Sequence, residues 1–159
     1  MNFKIRYATK LDAELIVKYI KELAVFEGEI DDVELNADDL IKNAFQKNGA
    51  KIIIGEYNDA PVGFALFHET FSTFLGKAGI GLVDLYIEPH MRSKGYGKKM
   101  LAFLASETVN KEYGRLEWWV HDWNLKAKDF YEKLGATMVK DIRVFRLDGE
   151  NLRLLANEK

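Results

Sequence analysis

Hydrophobic residues recur along this chain with two different periods, and the switching between them sets the expected elements. "FKIRY", residues 3–7, alternates apolar and polar positions and predicts a strand. In "TKLDAELIVKYIKELAVF", which begins at Thr9, Ile16, Tyr19, Ile20 and Leu23 fall at helical spacing, with Thr9 and Asp12 as a capping pair at its start. "NADDLIKNAF" repeats the device: Asn36 caps, and Leu40, Ile41, Ala44 and Phe45 make the apolar stripe. "AKIIIGEY" and "APVGFALFHE" read as strands joined through Asn58 and Asp59. That is a hairpin signal, because Asn and Asp tolerate tight-turn conformations.

Further along, "AGIGLVDLYIE" is a long, nearly continuous apolar strand stopped by Pro89, which cannot donate to a ladder. "GKKMLAFLASETVNKEY" is helical, with Leu101, Leu104, Ala105 and Thr108 on one face. "RLEWWVH" predicts a strand, "LKAKDFYEKLG" a short helix capped by Gly135, and "IRVFRLDGENLRLL" a closing pair of strands around an Asp148-Gly149 turn. Neither a repeat nor a linker interrupts the series. The expectation is one α/β domain over residues 1–159, with a hairpin-rich, mostly antiparallel first half and a strand, helix, strand crossover in the middle.

Composition narrows the function classes. With 159 residues, 48% of them hydrophobic, the chain can bury one sizeable core. The apolar runs are all shorter than the ~20 residues of a membrane span, and "MNFKIRYATKLD" lacks the features of a signal peptide, so a cytoplasmic protein is expected. The absence of cysteine excludes disulfides, thiolate metal sites and a cysteine nucleophile. His68, His90 and His121 are scattered without i, i+4 spacing, and no metal site is expected. A net charge of −2 argues against a nucleic-acid partner, since phosphate-backbone affinity comes from summed cationic contacts.

The placement of charge says more than its total. Seven acids and no Lys or Arg lie between Leu23 and Ile41, whereas Arg92, Lys94, Lys98 and Lys99 crowd the stretch after Pro89. There "HMRSKGYGKKM", residues 90–100, turns through Gly95 and Gly97 from a strand into a helix. Such a turn offers the helix's first N–H groups and positive dipole end to an anion, and glycine lets an oxyanion approach the main chain. The dinucleotide fingerprint needs a third glycine where Met100 stands, and no P-loop string occurs.

Arg92-x-x-Gly95-x-Gly97 after "LVDLYIEP" resembles the pyrophosphate loop of the GNAT superfamily of N-acetyltransferases, and "WNLKAKDFYEKLGA" resembles that superfamily's later helix. "IKELAVFEGEIDDVELNADDL" is similar to the N-terminal helices of its spermidine/spermine and thialysine N-acetyltransferase branch. The resemblance implies the GNAT fold: a mixed, mostly antiparallel sheet with a splayed parallel fourth and fifth strand and helices on both faces. It implies acetyl-CoA as cosubstrate, the primary amine of a polyamine or lysine-like small molecule as acceptor, direct attack in a ternary complex and a homodimer.

By the same resemblance, the pantetheine lies along Leu85, Tyr86 and Ile87, and the pyrophosphate meets the loop of Arg92, Ser93, Lys94, Gly95, Tyr96, Gly97 and Lys98. Asn124 and Ala127 match cofactor contacts beyond the fifth strand, and Asn124 also suits an N-cap. Tyr131 matches the acid that protonates the departing thiolate, a role open to a phenol of pKa ~10. Glu27, Asp84 and Glu117 are the candidate acceptor-side carboxylates. Val83 stands where the polyamine enzymes carry a glutamate, and strict alternation would turn Asp84 to the opposite face of its strand. Trp118, Trp119 and Trp123 suit an acceptor-pocket wall, with at least two of them expected in a core or dimer interface. A noncatalytic acyl-CoA-binding module, or a GNAT enzyme acting on a peptide N-terminus or an aminoglycoside, is the alternative.

Overall fold

A computed structural model describes residues 2–158 and divides into two compact units, Met1–Trp119 and Val120–Lys159. In the first, five strands form one sheet in the order β1 (Phe3–Tyr7), β2 (Lys51–Tyr57), β3 (Ala60–Ser72), β4 (Lys77–Ile87), β5 (Leu116–Trp118). Every neighbouring pair is antiparallel except β4 and β5, which run parallel after the crossover through α3 (Tyr96–Asn110). The β2–β3 hairpin forms where expected: Asn58 and Asp59 sit at φ 50° and 63°, the two left-handed residues that a tight two-residue loop requires.

Register parity assigns the faces. Ile52 and Ile54 of β2 and Phe64 of β3 pack against α1 (Ala13–Glu27) and α2 (Ala37–Leu40), burying Ile16, Tyr19, Leu40 and Ala44. Ile53, Ala65 and Phe67 point the other way and are equally buried. On that face lies α3: a Cβ built on Gly55 would stand 3.1 Å from the Met100 sulfur and 2.9 Å from the Phe3 ring. Glycine there lets α3 sit close to the sheet. Truncating Phe64 or Phe67 to alanine would cost about 3–5 kcal/mol.

The caps read from sequence are present. The Thr9 amide donates to the Asp12 carboxylate at 2.7 Å, and the Thr9 hydroxyl accepts from Leu11 at 3.3 Å. The Arg6 guanidinium grips the same carboxylate at 2.9 and 2.8 Å, and this bond is the main cause that pulls the Asp12 carboxyl down to about 2. Asn36 accepts from the Asp39 amide at 3.0 Å, and the helix it starts widens after Leu40 into a π-type turn over Ile41–Gln46.

Three expectations need correction. On α3 the buried stripe is Met100, Leu101, Leu104 and Thr108, whereas Ala105 is exposed. β5 keeps only Leu116–Trp118 of the seven residues expected: its ladder with β4 stops at Leu82, although β4 itself runs on to Ile87. The closing strand pair is absent: Ile142–Leu147 joins no sheet, and the Asp148-Gly149 pair begins a helix, α5 (Gly149–Ala156), instead of a turn. "ENLRLLA" is rich in strong helix formers, which outweighed the turn signal. The second unit also holds α4 (Leu125–Lys133), with Gly135 at φ 90° just beyond its end as expected. Among the described residues no helix is long and apolar enough to cross a membrane.

Candidate active site

β4 is the spine of the site in the first unit. Its ladder with β5 covers only Ile80, Gly81 and Leu82, after which β4 runs on to Ile87 with β3 alone beside it. The expected splay is therefore present. The Glu88 amide donates to the Val62 carbonyl of β3 at 2.9 Å. In an antiparallel ladder, main-chain groups alternate sides, so Glu88 and Tyr86 face β3 while Leu85 and Ile87 turn their N–H and C=O groups to the open edge. Of the three residues expected to offer main chain to a pantetheine arm, Leu85 and Ile87 have theirs on that edge, where the Ile87 carbonyl already accepts from Arg92. Tyr86 is the correction: its main chain belongs to the β3 ladder, and its ring is buried in the α1-side core.

Beyond β4, Glu88 and the short turn Pro89–Met91 lead to the glycine loop. Ser93 at φ 61° and Gly95 at φ 83° fold that loop back on itself, and Gly95 is the N-cap of α3. The first N–H groups of α3, from Tyr96 onward, have no intrahelical carbonyl and point out of the helix end. Gly97 is instructive because nothing in the chain demands it: its φ is not left-handed, and a Cβ built there meets no atom within 4 Å. A glycine without backbone strain or crowding, beside open N–H groups, fits a loop that an external oxyanion approaches closely.

The Arg92 side chain does not join that cradle. Its Nε donates to the Ile87 carbonyl at 2.8 Å, and its guanidinium lies 5.5 Å from the Tyr86 ring centroid and 5.6 Å from that of Phe26. The Lys94 Nζ reaches the Met91 sulfur at 3.5 Å, and Lys99 lies over the Phe3 and Tyr96 rings.

A register shift on β4 decides which face Asp84 takes. Leu66 of β3 pairs with Asp84 while the next residue, Phe67, pairs with Leu82, so Val83 is the extra residue of a β-bulge. Parity then places Leu82 with Phe67 on the α3 face and Asp84 with Leu66 and Tyr86 on the α1 face. Strict alternation fails here, and Asp84 faces the helix that carries Glu27. Burial lifts the Asp84 carboxyl to about 6, and the nearby Glu27 charge adds to the rise. Val83 itself is 56% exposed. Glu117 pairs with Gly81 of β4, on the face that Asp84 also takes, and is salt-bridged to Arg115 at 3.5 Å.

Around this pair, α1 is tied to the tip of β4. Tyr86 donates its hydroxyl to Glu22, and burial together with that bond raises the phenol to about 12. The Tyr19 hydroxyl donates to Glu88 at 3.1 Å, and the Tyr19 and Tyr86 rings lie 5.2 Å apart. None of Glu22, Tyr19 or Phe26 stood among the expected site residues. Their signal was the i, i+3, i+7 spacing on α1, which reads equally as core.

In the second unit, the Asn124 side chain accepts from the Ala127 amide at 3.1 Å and caps α4, with Lys128 held at 2.8 Å by the Asp122 carboxylate. Tyr131 lies on α4 beside Phe130, ring centroids 5.4 Å apart. Trp123 of this unit, stacked on His121, and Trp119 at the end of the first unit are both exposed rather than in a core.

A sequence profile of the acetyltransferase (GNAT) family matches residues 17–136, three quarters of the chain. This chain belongs to the GNAT acetyltransferase family. The thialysine N-epsilon-acetyltransferase of Sus scrofa is 32% identical over 166 residues, covering 97% of each chain. The L-ornithine N5-acetyltransferase of Arabidopsis thaliana is 39% identical over 106 residues, 66% of this chain, which spans less than half (46%) of that longer relative. An integron cassette protein from the mobile metagenome of V. cholerae superposes with a TM-score of 0.79 at 24% identity over 99% of both chains, and so shares the fold. GNAT enzymes take their acetyl group from acetyl-CoA. The open edge at Leu85 and Ile87 and the unobstructed loop at Gly97 suit its extended arm and its phosphates.

Proposed function

We propose that this GNAT enzyme acetylates the terminal primary amine of a lysine-like diamino acid, with Asp84 as the proton acceptor on the amine side and Tyr131 as the proton donor to the leaving thiolate. The observation that carries the reading is the bulge at Val83, which turns the Asp84 carboxyl onto the α1 face near Glu27. An ammonium entering between these groups meets two carboxylates. At about 6, Asp84 is ionised near pH 7 and a stronger base than an ordinary aspartate of ~3.9, so taking a proton from an amine is less uphill. The neutral nitrogen then forms a bond to the acyl carbon, the carbon–sulfur bond breaks, and the thiolate takes a proton from the Tyr131 hydroxyl; the second proton lost by the nitrogen restores the phenol through solvent, and Asp84 returns its own proton to water. Acetyl-CoA, when bound, supplies the activated acyl group. Glu27 and Asp84 order the amine, the open edge at Leu85 and Ile87 orders the pantetheine arm, and the loop through Gly97 takes the phosphates. Asn124 and Ala127 complete the cofactor contacts that the family pattern implies.

A lysine-like acceptor is favoured over a polyamine by two features. The relatives quoted above act, by their names, on thialysine and L-ornithine. Val83 supplies no carboxylate where the polyamine enzymes place one, which reduces the negative charge available to a substrate with several ammonium groups. The branch resemblance further supports a cytoplasmic homodimer, testable by light scattering. Thiol release from acetyl-CoA, measured with thialysine, ornithine, lysine, spermidine, an aminoglycoside and a peptide N-terminus, tests the acceptor. Turnover is expected with a diamino acid. Preference for spermidine would overturn the acceptor class, and acetyl-CoA binding without turnover of any amine would overturn the proposal.

A further inference from the structure

The arginine of the glycine loop has an occupation inside the protein. Because β5 stops pairing with β4 after Leu82, the Ile87 carbonyl faces an edge with no neighbouring strand, and the Arg92 Nε, at 2.8 Å, supplies the hydrogen bond that a strand would otherwise give. The flat guanidinium then lies over Tyr86 of β4 on one contact and over Phe26 of α1 on the other, at 5.5 and 5.6 Å. Phe26 immediately precedes Glu27, and Glu22, one helical turn earlier, receives the Tyr86 hydroxyl. One side chain thus touches the loop's own strand tip and the last turn of the helix that carries Glu27.

We propose that Arg92 is a positioning residue for the amine end of the site: by bracing α1 against the tip of β4, it holds Glu27 at Asp84. This rests on the acceptor reading above. Lysine cannot replace arginine in this role. It retains the positive charge, which is all that attraction to a phosphate requires, but it lacks both the Nε–H directed at a carbonyl and the planar group that covers two rings. The two substitutions Arg92→Lys and Arg92→Gln therefore separate a brace from a phosphate contact. The same comparison separates the two ends of the site, since the main-chain loop and the carboxylates bind different substrates.

The test is steady-state kinetics of both variants with the best amine from the panel, alongside acetyl-CoA binding by calorimetry and amide hydrogen exchange. Both variants are expected to raise KM for the amine about tenfold while the Kd for acetyl-CoA stays within threefold. Exchange should rise across Tyr19–Gly28, with the interior of α3 around Leu104 as protected as in the parent. Loss of acetyl-CoA affinity equal to or larger than the loss at the amine, recovery of amine KM in Arg92→Lys, or unchanged kinetics would each overturn it. If the parent turns over no amine, the acceptor reading falls on its own, and the brace is still decided by exchange: unchanged protection of Tyr19–Gly28 in Arg92→Gln overturns it, and raised protection-loss confined to that segment supports it.

Discussion

The two ends of the first unit's site are built from different material. The seat after β4 is main chain: N–H groups at the start of α3, a left-handed Ser93 and Gly95, and a glycine at 97 with open space before it. The proposed acceptor end is side chain: a carboxyl on β4 whose direction depends on one extra residue in the strand, and a second on the last turn of α1. Main-chain seats follow from local conformation and so survive in a short string of residues. A side-chain pair exists only if two distant segments arrive in the right register, and its chemistry changes with each neighbour.

Removing the carboxyl is the hardest blow to the side-chain end. Asp84→Asn should lower kcat/KM for the amine by about 10²-fold or more, the usual contribution of a positioned base, with acetyl-CoA affinity little changed. The same substitution should act oppositely on stability. The folded carboxyl titrates at about 6, above the ~3.9 of an unfolded aspartate, so its stabilising contribution is complete below about pH 4 and is lost as pH rises through 6. Thermal melts of parent and Asp84→Asn should therefore diverge between pH 4 and pH 8 in favour of the variant, by an effect of order 2 kcal/mol. Parallel melts across that range would show that Asp84 is not buried as a base.

Tyr131→Phe asks whether the second unit contributes chemistry. Turnover should fall at least tenfold, with acetyl-CoA binding by calorimetry intact, as expected for loss of a general acid. Equal losses in both would return the tyrosine to a packing role on the α4 stripe.

Gly97→Ala probes the main-chain end, and again the two readouts should move apart. An alanine at that position has a permitted backbone and no clashing neighbour, so the melting temperature should hold or rise, by up to about 1 kcal/mol of stability. Acetyl-CoA affinity should drop severalfold because the methyl occupies the approach to the N–H groups. A variant as tight as the parent would show that no anion comes close to residue 97.

That contrast explains what the sequence disclosed. The capping residues Thr9, Asp12 and Asn36, the Asn58-Asp59 hairpin and the Gly95–Gly97 turn were legible because each acts over three or four residues. The side of β4 on which Asp84 lies was not, since a bulge is created by pairing with β3 and leaves no mark in "GLVDLYI". Arg92 was legible as part of a motif but not in its direction, which depends on an open strand edge and on Phe26 some 66 positions away. The C-terminal stretch failed for a third reason. "IRVFRL" has strand composition, but strand propensity expresses itself only beside a partner, whereas the helix formers after Gly149 close their backbone hydrogen bonds within their own segment.

The finest cut is within the carboxylate pair. Burial is the larger cause of the raised Asp84 carboxyl and the Glu27 charge the smaller, so Glu27→Gln should remove only the lesser part. The sign follows from repulsion: a neighbouring negative charge opposes ionisation, and without it the Asp84 carboxyl ionises at lower pH. The acid limb of kcat/KM for the amine, expected near pH 6 in the parent, should therefore move to lower pH while remaining above the range of an exposed aspartate. At pH 8, where Asp84 is ionised in both proteins, the rate should fall only through weaker attraction of the ammonium, and added salt should shrink the difference. An acid limb that stays in place would mean that burial alone sets the base and that Glu27 acts only on binding. A limb that moves to higher pH would contradict the proximity of the two carboxylates.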